Sequence, residues 1–161
     1  MYKTGDFMIM RGVVEKYTGN ANEVTVPEGV CEIGKSAFAN CPRLKSVVLP
    51  QSLKKIGEGA FCDCKNLQNI VIPNCVTEIG TIAFKACKKL SNVQLPINLS
   101  KIEDGMFAFC DNLESIVIPE GVLIIGEWAF SHCSHLQSVQ LPDSLLMIGE
   151  EGFQNLACGL K

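Results

Sequence analysis

Residues 41–61 read CPRLKSVVLPQSLKKIGEGAF, and residues 64–84, 23 positions on, read CKNLQNIVIPNCVTEIGTIAF. Cys41 falls on Cys64, Leu44 on Leu67, Pro50 on Pro73, Ile56 on Ile79 and Phe61 on Phe84. The register holds outward in both directions. Proline recurs at Pro27, Pro50, Pro73, Pro96, Pro119 and Pro142, with Pro42 alone off the grid. Isoleucine recurs at 33, 56, 79, 102, 125 and 148, phenylalanine at 38, 61, 84, 107, 130 and 153, and cysteine at 41, 64, 87, 110 and 133. A fixed period of about 20–29 residues carrying such columns specifies a solenoid whose coils share one core.

Within a unit the apolar positions are Leu44, Val47, Leu49, Leu53, Ile56, Ala60, Phe61 and Cys64. Leu44 to Leu49 alternates and ends β-branched, which predicts a short strand; Pro50 stops it, because proline has no N–H for a ladder. Gly57, with Gly34, Gly80, Gly126 and Gly149, marks a tight bend where a Cβ does not fit or φ is positive. The fourth unit carries Glu103 there, so the bend does not demand glycine absolutely. The Gly-x-x-Ala-Phe-x-x-Cys stretch is too short for a regular helix and predicts a single helical or 3₁₀ turn.

The whole chain, 1–161, reads as one domain: 1–22 an N-terminal capping segment and 23–161 six repeats, the last incomplete. Each coil buries its apolar set only against its neighbours, so the ends are weak points. Asp6 to Asn22 keeps Phe7, Ile9, Val13, Val14 and Tyr17 but breaks the pattern, as a capping coil does. The sixth unit places Leu156 in the cysteine column and shows no polar cap.

The chain is 47% hydrophobic and 19% charged, within the range of one globular domain. It has no apolar run of the length a membrane span needs, and Met1 to Arg11 lacks the features of a signal peptide. The net charge of −3 conceals an asymmetry: residues 1–90 hold 12 Lys and Arg against 8 Asp and Glu, residues 91–161 hold 2 against 9. That distribution argues against a nucleic-acid partner, which selects a basic excess. It suits a rod whose ends attract each other. Nine cysteines are an odd number at a density below that of disulfide-stapled domains, so at least one thiol is unpaired within the chain.

The pattern Cys-x-x-Leu-x-x-Val-x-Leu-Pro-x-x-Leu-x-x-Ile-Gly-x-x-Ala-Phe, nearly whole from Cys41 to Phe61 and again from Cys64 to Phe84, resembles the BspA-like leucine-rich repeat family. The opening from Gly5 to Gly19 is similar to that family's lead-in, and the likeness runs from Asp6 to about Phe153. The resemblance implies an α/β-type leucine-rich repeat right-handed solenoid of short parallel strands and short helical or 3₁₀ turns. It also implies a binding or adhesion module, often on a cell surface or secreted, with no catalytic residues and no cofactor.

Several constellations invite a sharper reading. The five column cysteines form one row, but a straight row is not the tetrahedral cage zinc requires, and packing is the expectation; no metal site is assigned. Cys62 with Cys64, and Cys158 near the end of the chain, are the expected accessible thiols. His132 and His135 flank Cys133 and read as outward surface residues, not ligands. No triad context for catalysis occurs, so the chain reads as no enzyme. Asn98-Leu99-Ser100 fits a glycosylation sequon, yet Asn98 stands where such repeats bond neighbouring backbone, so a buried ladder asparagine is expected. Arg43, Lys65, Lys85, Lys88 and Lys89 make a basic group that is either a solvated face or a site for an acidic partner.

The outward strand columns carry the functional expectation. They read Ser46, Asn69, Asn92, Ser115, Ser138 and Val48, Val71, Gln94, Val117, Gln140, small residues suited to a flat protein partner. A second surface lies before the invariant isoleucines, where the column reads Glu32, Lys55, Glu78, Lys101, Ile124, Met147. The first four predict a ladder of alternating charges. The last two, with Leu123, Leu146 and Trp128, predict an exposed apolar flank. The expected function is a non-catalytic protein-interaction module, adhesin-like or scaffold. The alternative is a structural spacer that self-associates as a homo-oligomer through its C-terminal coils. Neither involves nucleic acid or membrane insertion.

Overall fold

A computed structural model describes residues 2–154 of the chain. Leu156 and Cys158 lie outside the described residues. The first arm of each coil is a three-residue strand: β4 (Glu23–Thr25), β6 (Ser46–Val48), β8 (Asn69–Val71), β10 (Asn92–Gln94), β12 (Ser115–Val117) and β14 (Ser138–Gln140). The second arm is a two-residue strand: β5 (Glu32–Ile33), β7 (Lys55–Ile56), β9 (Glu78–Ile79), β11 (Lys101–Ile102), β13 (Ile124–Ile125) and β15 (Met147–Ile148). Coils stack in parallel at a register of 23, as in Val24 on Val47 and Ile33 on Ile56. β1 (Tyr2–Thr4), β2 (Phe7–Met10) and β3 (Val13–Tyr17) form an antiparallel meander, and β3 pairs in parallel with β5.

The proline column closes the first arm as its chemistry requires, and the isoleucine column points inward on the second. The turn departs from the expectation. No helix of either kind occurs among the described residues; 34–40 and its equivalents are successive β-turns. Two residues per turn explain this, because Ser36 and Asn40 have φ of 54° and 59° and each breaks a right-handed helical path. Alternate amides then point in different directions. Ala37 and Ala39 bond back to Gly34 and Ser36 within the turn, while Ser36, Phe38 and Asn40 donate to Glu58, Ala60 and Cys62 of the next coil. Three of these five hydrogen bonds therefore bind coil to coil, which a helical turn would forgo.

The core is one stack. Phe38, Phe61, Phe84, Phe107 and Phe130 are fully buried, with ring centroids 5.0 to 5.5 Å apart. Tyr17 of the meander lies 5.0 Å from Phe38 and carries the stack onto the first coil, and Phe153 continues it 5.1 Å beyond Phe130.

The glycine column serves close approach, not positive φ. A Cβ on Gly57, Gly80, Gly126 or Gly149 would stand 2.5 to 2.8 Å from backbone of the preceding coil. By the same register the Cβ of Glu103 faces the backbone at 80–81, and there the second-arm pairing is interrupted: β9 and β11 are not bonded, although β11 pairs with β13. The first arm is interrupted one coil later, between β10 and β12. Both gaps border the coil 92–114, which carries Glu103. Its second arm is unpaired with the coil before and its first arm with the coil after, while the rings of Phe84 and Phe107 stay 5.5 Å apart and 6° from parallel.

Candidate functional site

The ten outward residues of the first arm stand on one face, nine of them exposed and Ser46 half-buried. Val48, Val71 and Val117 are 61%, 60% and 58% exposed, a row of β-branched side chains on the solvent side of the sheet. The face is not flat, as the sequence suggested. Where β10 and β12 part, a cavity of about 480 Å³ opens, lined by Asn69, Val71, Asn92, Gln94, Ser115 and Val117 around Ile70, Leu95 and Ile116. Ile97, beside it, is 62% exposed. Ser46 and Val48 line a second hollow of about 330 Å³ with Val71 and Pro73. Sequence reasoning missed the cleft, which lies where two first-arm strands of ordinary column pattern do not pair. At the other gap a polar cavity of about 460 Å³ lies among Lys55, Glu58, Glu78, Lys101 and Glu103.

The charge ladder forms in part. Glu32, Lys55 and Glu78 stand in register, and Lys55 Nζ lies 3.3 Å from a Glu78 carboxylate oxygen. Lys101 does not extend the ladder. It sits across the gap from Glu78 and pairs at 2.7 Å with Glu103, a hydrogen bond that raises its pKa. The apolar flank is present at Leu123, Leu146 and Met147, with Leu146 81% exposed and Ile124 half-buried. Ile148, from the inward column, is exposed too. Trp128 does not join this flank but lines a separate cavity with Phe109 and His132.

The cysteine row supplies hydrogen-bond donors to the turns. The thiols of Cys87, Cys110 and Cys133 lie 3.2, 3.2 and 3.1 Å from the carbonyl oxygens of Phe61, Phe84 and Phe107. Burial pushes all three up, Cys133 to about 12. Cys64 Sγ lies 3.0 Å from the Phe38 carbonyl and beside Cys41, and its thiol is also raised. Half-buried Cys41 is held below the usual thiol value by its hydrogen bond with Cys64, against burial and with help from the Lys16 charge. Accessibility differs from expectation. Among the described residues Cys31 is the exposed thiol and Cys64 is buried, while burial and the adjacent Asp63 carboxylate raise Cys62. Under native conditions a maleimide should modify Cys31 and Cys41 ahead of Cys62, and leave Cys64, Cys87, Cys110 and Cys133 unreacted until denaturant is added. Peptide mapping after timed quenching reads the order; early labelling of Cys87 or Cys110 would contradict the packed row.

Asn98 is exposed, not buried, yet it bonds neighbouring backbone as expected: its amide donates to the Asn74 carbonyl at 2.8 Å. Ser52, Cys75 and Ser144 make the same cross-coil contact to Val30, Gln51 and Val122. His135 is exposed and 2.6 Å from the Asp111 carbonyl, while half-buried His132 stacks on Phe109. In the basic group, Lys65 and Lys88 lie 4.0 and 3.6 Å from Asp63 and Asp111. Among the described residues, no three His, Cys, Asp or Glu side chains are grouped to hold a metal ion, and no helix is long and apolar enough to cross a membrane.

A family model described as BspA type leucine rich repeat region matches residues 15–122 and 103–161, in six copies. No curated protein matches the sequence. A solved leucine rich cell surface protein of Faecalibacterium prausnitzii is similar with a TM-score of 0.88 at 32% identity, over 97% of this chain and 46% of that one. A leucine-rich repeat protein of Bacteroides ovatus gives 0.73 at 30% identity, over 92% of this chain and 45% of that one. The T. pallidum leucine rich repeat protein gives 0.72 at 26% identity, over 85% and 77%. This chain thus spans about half the length of the first two relatives.

Proposed function

The chain belongs to the BspA type leucine rich repeat family, and from that premise we propose that it is a non-catalytic protein-interaction module that binds through its strand face. The cleft at β10 and β12 carries this reading. Interfaces draw their affinity from apolar anchors seated in pockets and surrounded by a polar rim. Here an apolar floor of Ile70, Leu95 and Ile116 lies between exposed Val71 and Val117, with Asn69, Asn92 and Ser115 at its margin. An extended partner segment lying across the strands would place one apolar side chain in the cleft and pass over the valine row. Likeness to a bacterial cell surface protein supports a role outside the cell, as an adhesin-like or scaffold element.

A second reading rests on the apolar flank. Leu123, Leu146, Met147 and Ile148 are all exposed at the C-terminal coils, which favours self-association there. The two readings separate experimentally. Purified cell-surface and extracellular-matrix proteins are probed with the native chain, with Val71→Asp/Val117→Asp, and with Leu146→Glu/Met147→Lys. The strand-face reading expects the first pair to weaken binding at least about tenfold, the effect of roughly 1.4 kcal/mol, and the second to leave it unchanged. Binding that survives the first pair and fails with the second moves the contact to the flank. A dimeric mass in light scattering, lost only in the second variant, supports self-association.

A further inference from the structure

Two columns of the turn adopt positive φ in coil after coil. One runs Ser36, Gly59, Ile82, Gly105, Trp128, Glu151 and the other Asn40, Asp63, Ala86, Phe109, His132, with φ between 51° and 62° throughout. The early coils fill these positions with serine, glycine, asparagine and aspartate, which suit the left-handed region. The later coils place isoleucine, tryptophan and phenylalanine there, at a steric cost that bulky and β-branched residues bear most, together with His132, a residue type that enters this region more readily. Strained positions persist where the surrounding structure holds them and cluster at ligand sites. These four side chains converge on one cavity of about 420 Å³.

The cavity has a specific shape. Gly105 stands between Ile82 and Trp128 in its column and contributes no side chain. Ile82 leans over it: a Cβ on Gly105 would stand 3.0 Å from Ile82 Cγ2, with no other atom outside its own chain neighbours within 4 Å. The Ile82 side chain thus walls one side of the space over Gly105, and Trp128 and Phe109 line the rest of the same cavity. Trp128 is 47% and Phe109 39% exposed. Trp128 Nε1 donates to Glu151 at 2.7 Å, and His132 stacks on Phe109 at 4.6 Å between centroids, so both aromatics are held in place.

The chemistry of the rim selects the ligand. Lys85, Thr81 and Gln154 bring hydrogen-bond donors, Asp104 and Glu151 bring carboxylate acceptors with lone pairs to spare. Two carboxylates oppose an anion. Cations already stand at both acceptor and platform, Lys101 Nζ 4.0 Å from Asp104 and Lys85 Nζ 5.9 Å from the Phe109 ring centre. An uncharged ring with an apolar face and a margin of hydroxyls satisfies every group at once: its C–H face packs on the aromatic platform, and its hydroxyls both donate and accept. We propose that the slot over Gly105, between Ile82 and Trp128 and beside Phe109, binds a neutral saccharide residue. The site shares no lining residue with the strand-face cleft and stands independently of the function assigned to it.

Trp128 is the only tryptophan in the chain, so its emission reports this site alone. The native protein is titrated with maltohexaose, cellohexaose, xylohexaose and chitohexaose. Two variants accompany it: Gly105→Asn, which fills the slot with a residue that tolerates positive φ, and Phe109→Ala, which removes an exposed platform. The expected result is a saturable change in emission with at least one oligosaccharide, weakened about tenfold or more in either variant with unchanged circular dichroism. Should a variant fail to fold, amide shifts of the native protein decide, since saccharide must then perturb Gly105, Phe109 and Trp128 first. A response to none of the sugars overturns the proposal, as does one equal in all three proteins. A response only to aromatic peptide amides overturns it in favour of a peptide pocket.

Discussion

Truncating Phe84 to alanine lowers the free energy of unfolding by about 3–5 kcal/mol, and the same change at Phe153 costs distinctly less. Phe84 has no exposed surface and lies between Phe61 at 5.4 Å and Phe107 at 5.5 Å, nearly parallel to both. Its removal leaves a cavity that two rigid coils bound, and the strand and turn bonds on either side prevent collapse. Phe153 is half-buried and stacks on Phe130 alone among the described rings. Urea melts of the two variants check the contrast. Equal losses would mean that the coils do not depend on neighbours in the way the stack requires.

Gly80→Val is the second large effect, at about 2–3 kcal/mol of destabilisation. The site has no cavity to lose and its φ is not in the left-handed region, so the cause is contact alone. A Cβ at Gly80 would lie 2.5 Å from the Glu58 amide nitrogen and 2.8 Å from the carbonyl carbon of Gly57. Backbone of the preceding coil cannot yield as a flexible side chain can, and the Gly80 amide bonds the Ile56 carbonyl of that coil at 2.8 Å. The valine variant should therefore part β7 from β9, a pairing that is also missing between β9 and β11, where Glu103 stands in the glycine column. Melts within about 0.5 kcal/mol of the native chain would show that the close approach is not needed.

The period made the architecture legible. Proline, isoleucine and phenylalanine columns without a slip place every coil, and the alternation before each proline locates the first-arm strands. The turn was misread because propensity over a few residues cannot distinguish a helical turn from β-turns laddered to the next coil. That choice is made by cross-coil bonds such as Phe38 to the Ala60 carbonyl at 2.8 Å. The outward columns were legible from the same alternation, and Leu146 and Met147 are exposed as the column pattern required. The cleft between β10 and β12 was not, because it depends on the loss of pairing between two first-arm strands whose residues follow the same columns as the rest. Nothing in the sequence of β10 or β12 alone distinguishes them from their neighbours. The aromatic slot escaped for another reason: positive φ at Ile82, Phe109, Trp128 and His132 is imposed by the turn, and only the coordinates bring the four together.

Amide hydrogen exchange, resolved residue by residue in the native chain, tests the central claim that stacked coils are held by cross-coil bonds and that this pairing is interrupted on either side of the coil 92–114. In intact coils Thr77, Gly80, Leu123 and Gly126 donate to the preceding coil at 3.0, 2.8, 2.9 and 2.7 Å, while their counterparts Ser100 and Glu103 face the gap. Likewise Ser91 and Gln137 bond the preceding coil at 3.0 and 2.9 Å, and Glu114 faces the second gap. The expected result is slow exchange at Phe38, Phe61, Phe84 and Phe107, approaching the rate set by global unfolding. Ser100, Glu103 and Glu114 should exchange markedly faster than their counterparts. Equal protection of Ser100, Glu103 and Glu114 with those counterparts would close the gaps and with them the cleft. Fast exchange at the four phenylalanine amides would contradict the stack itself.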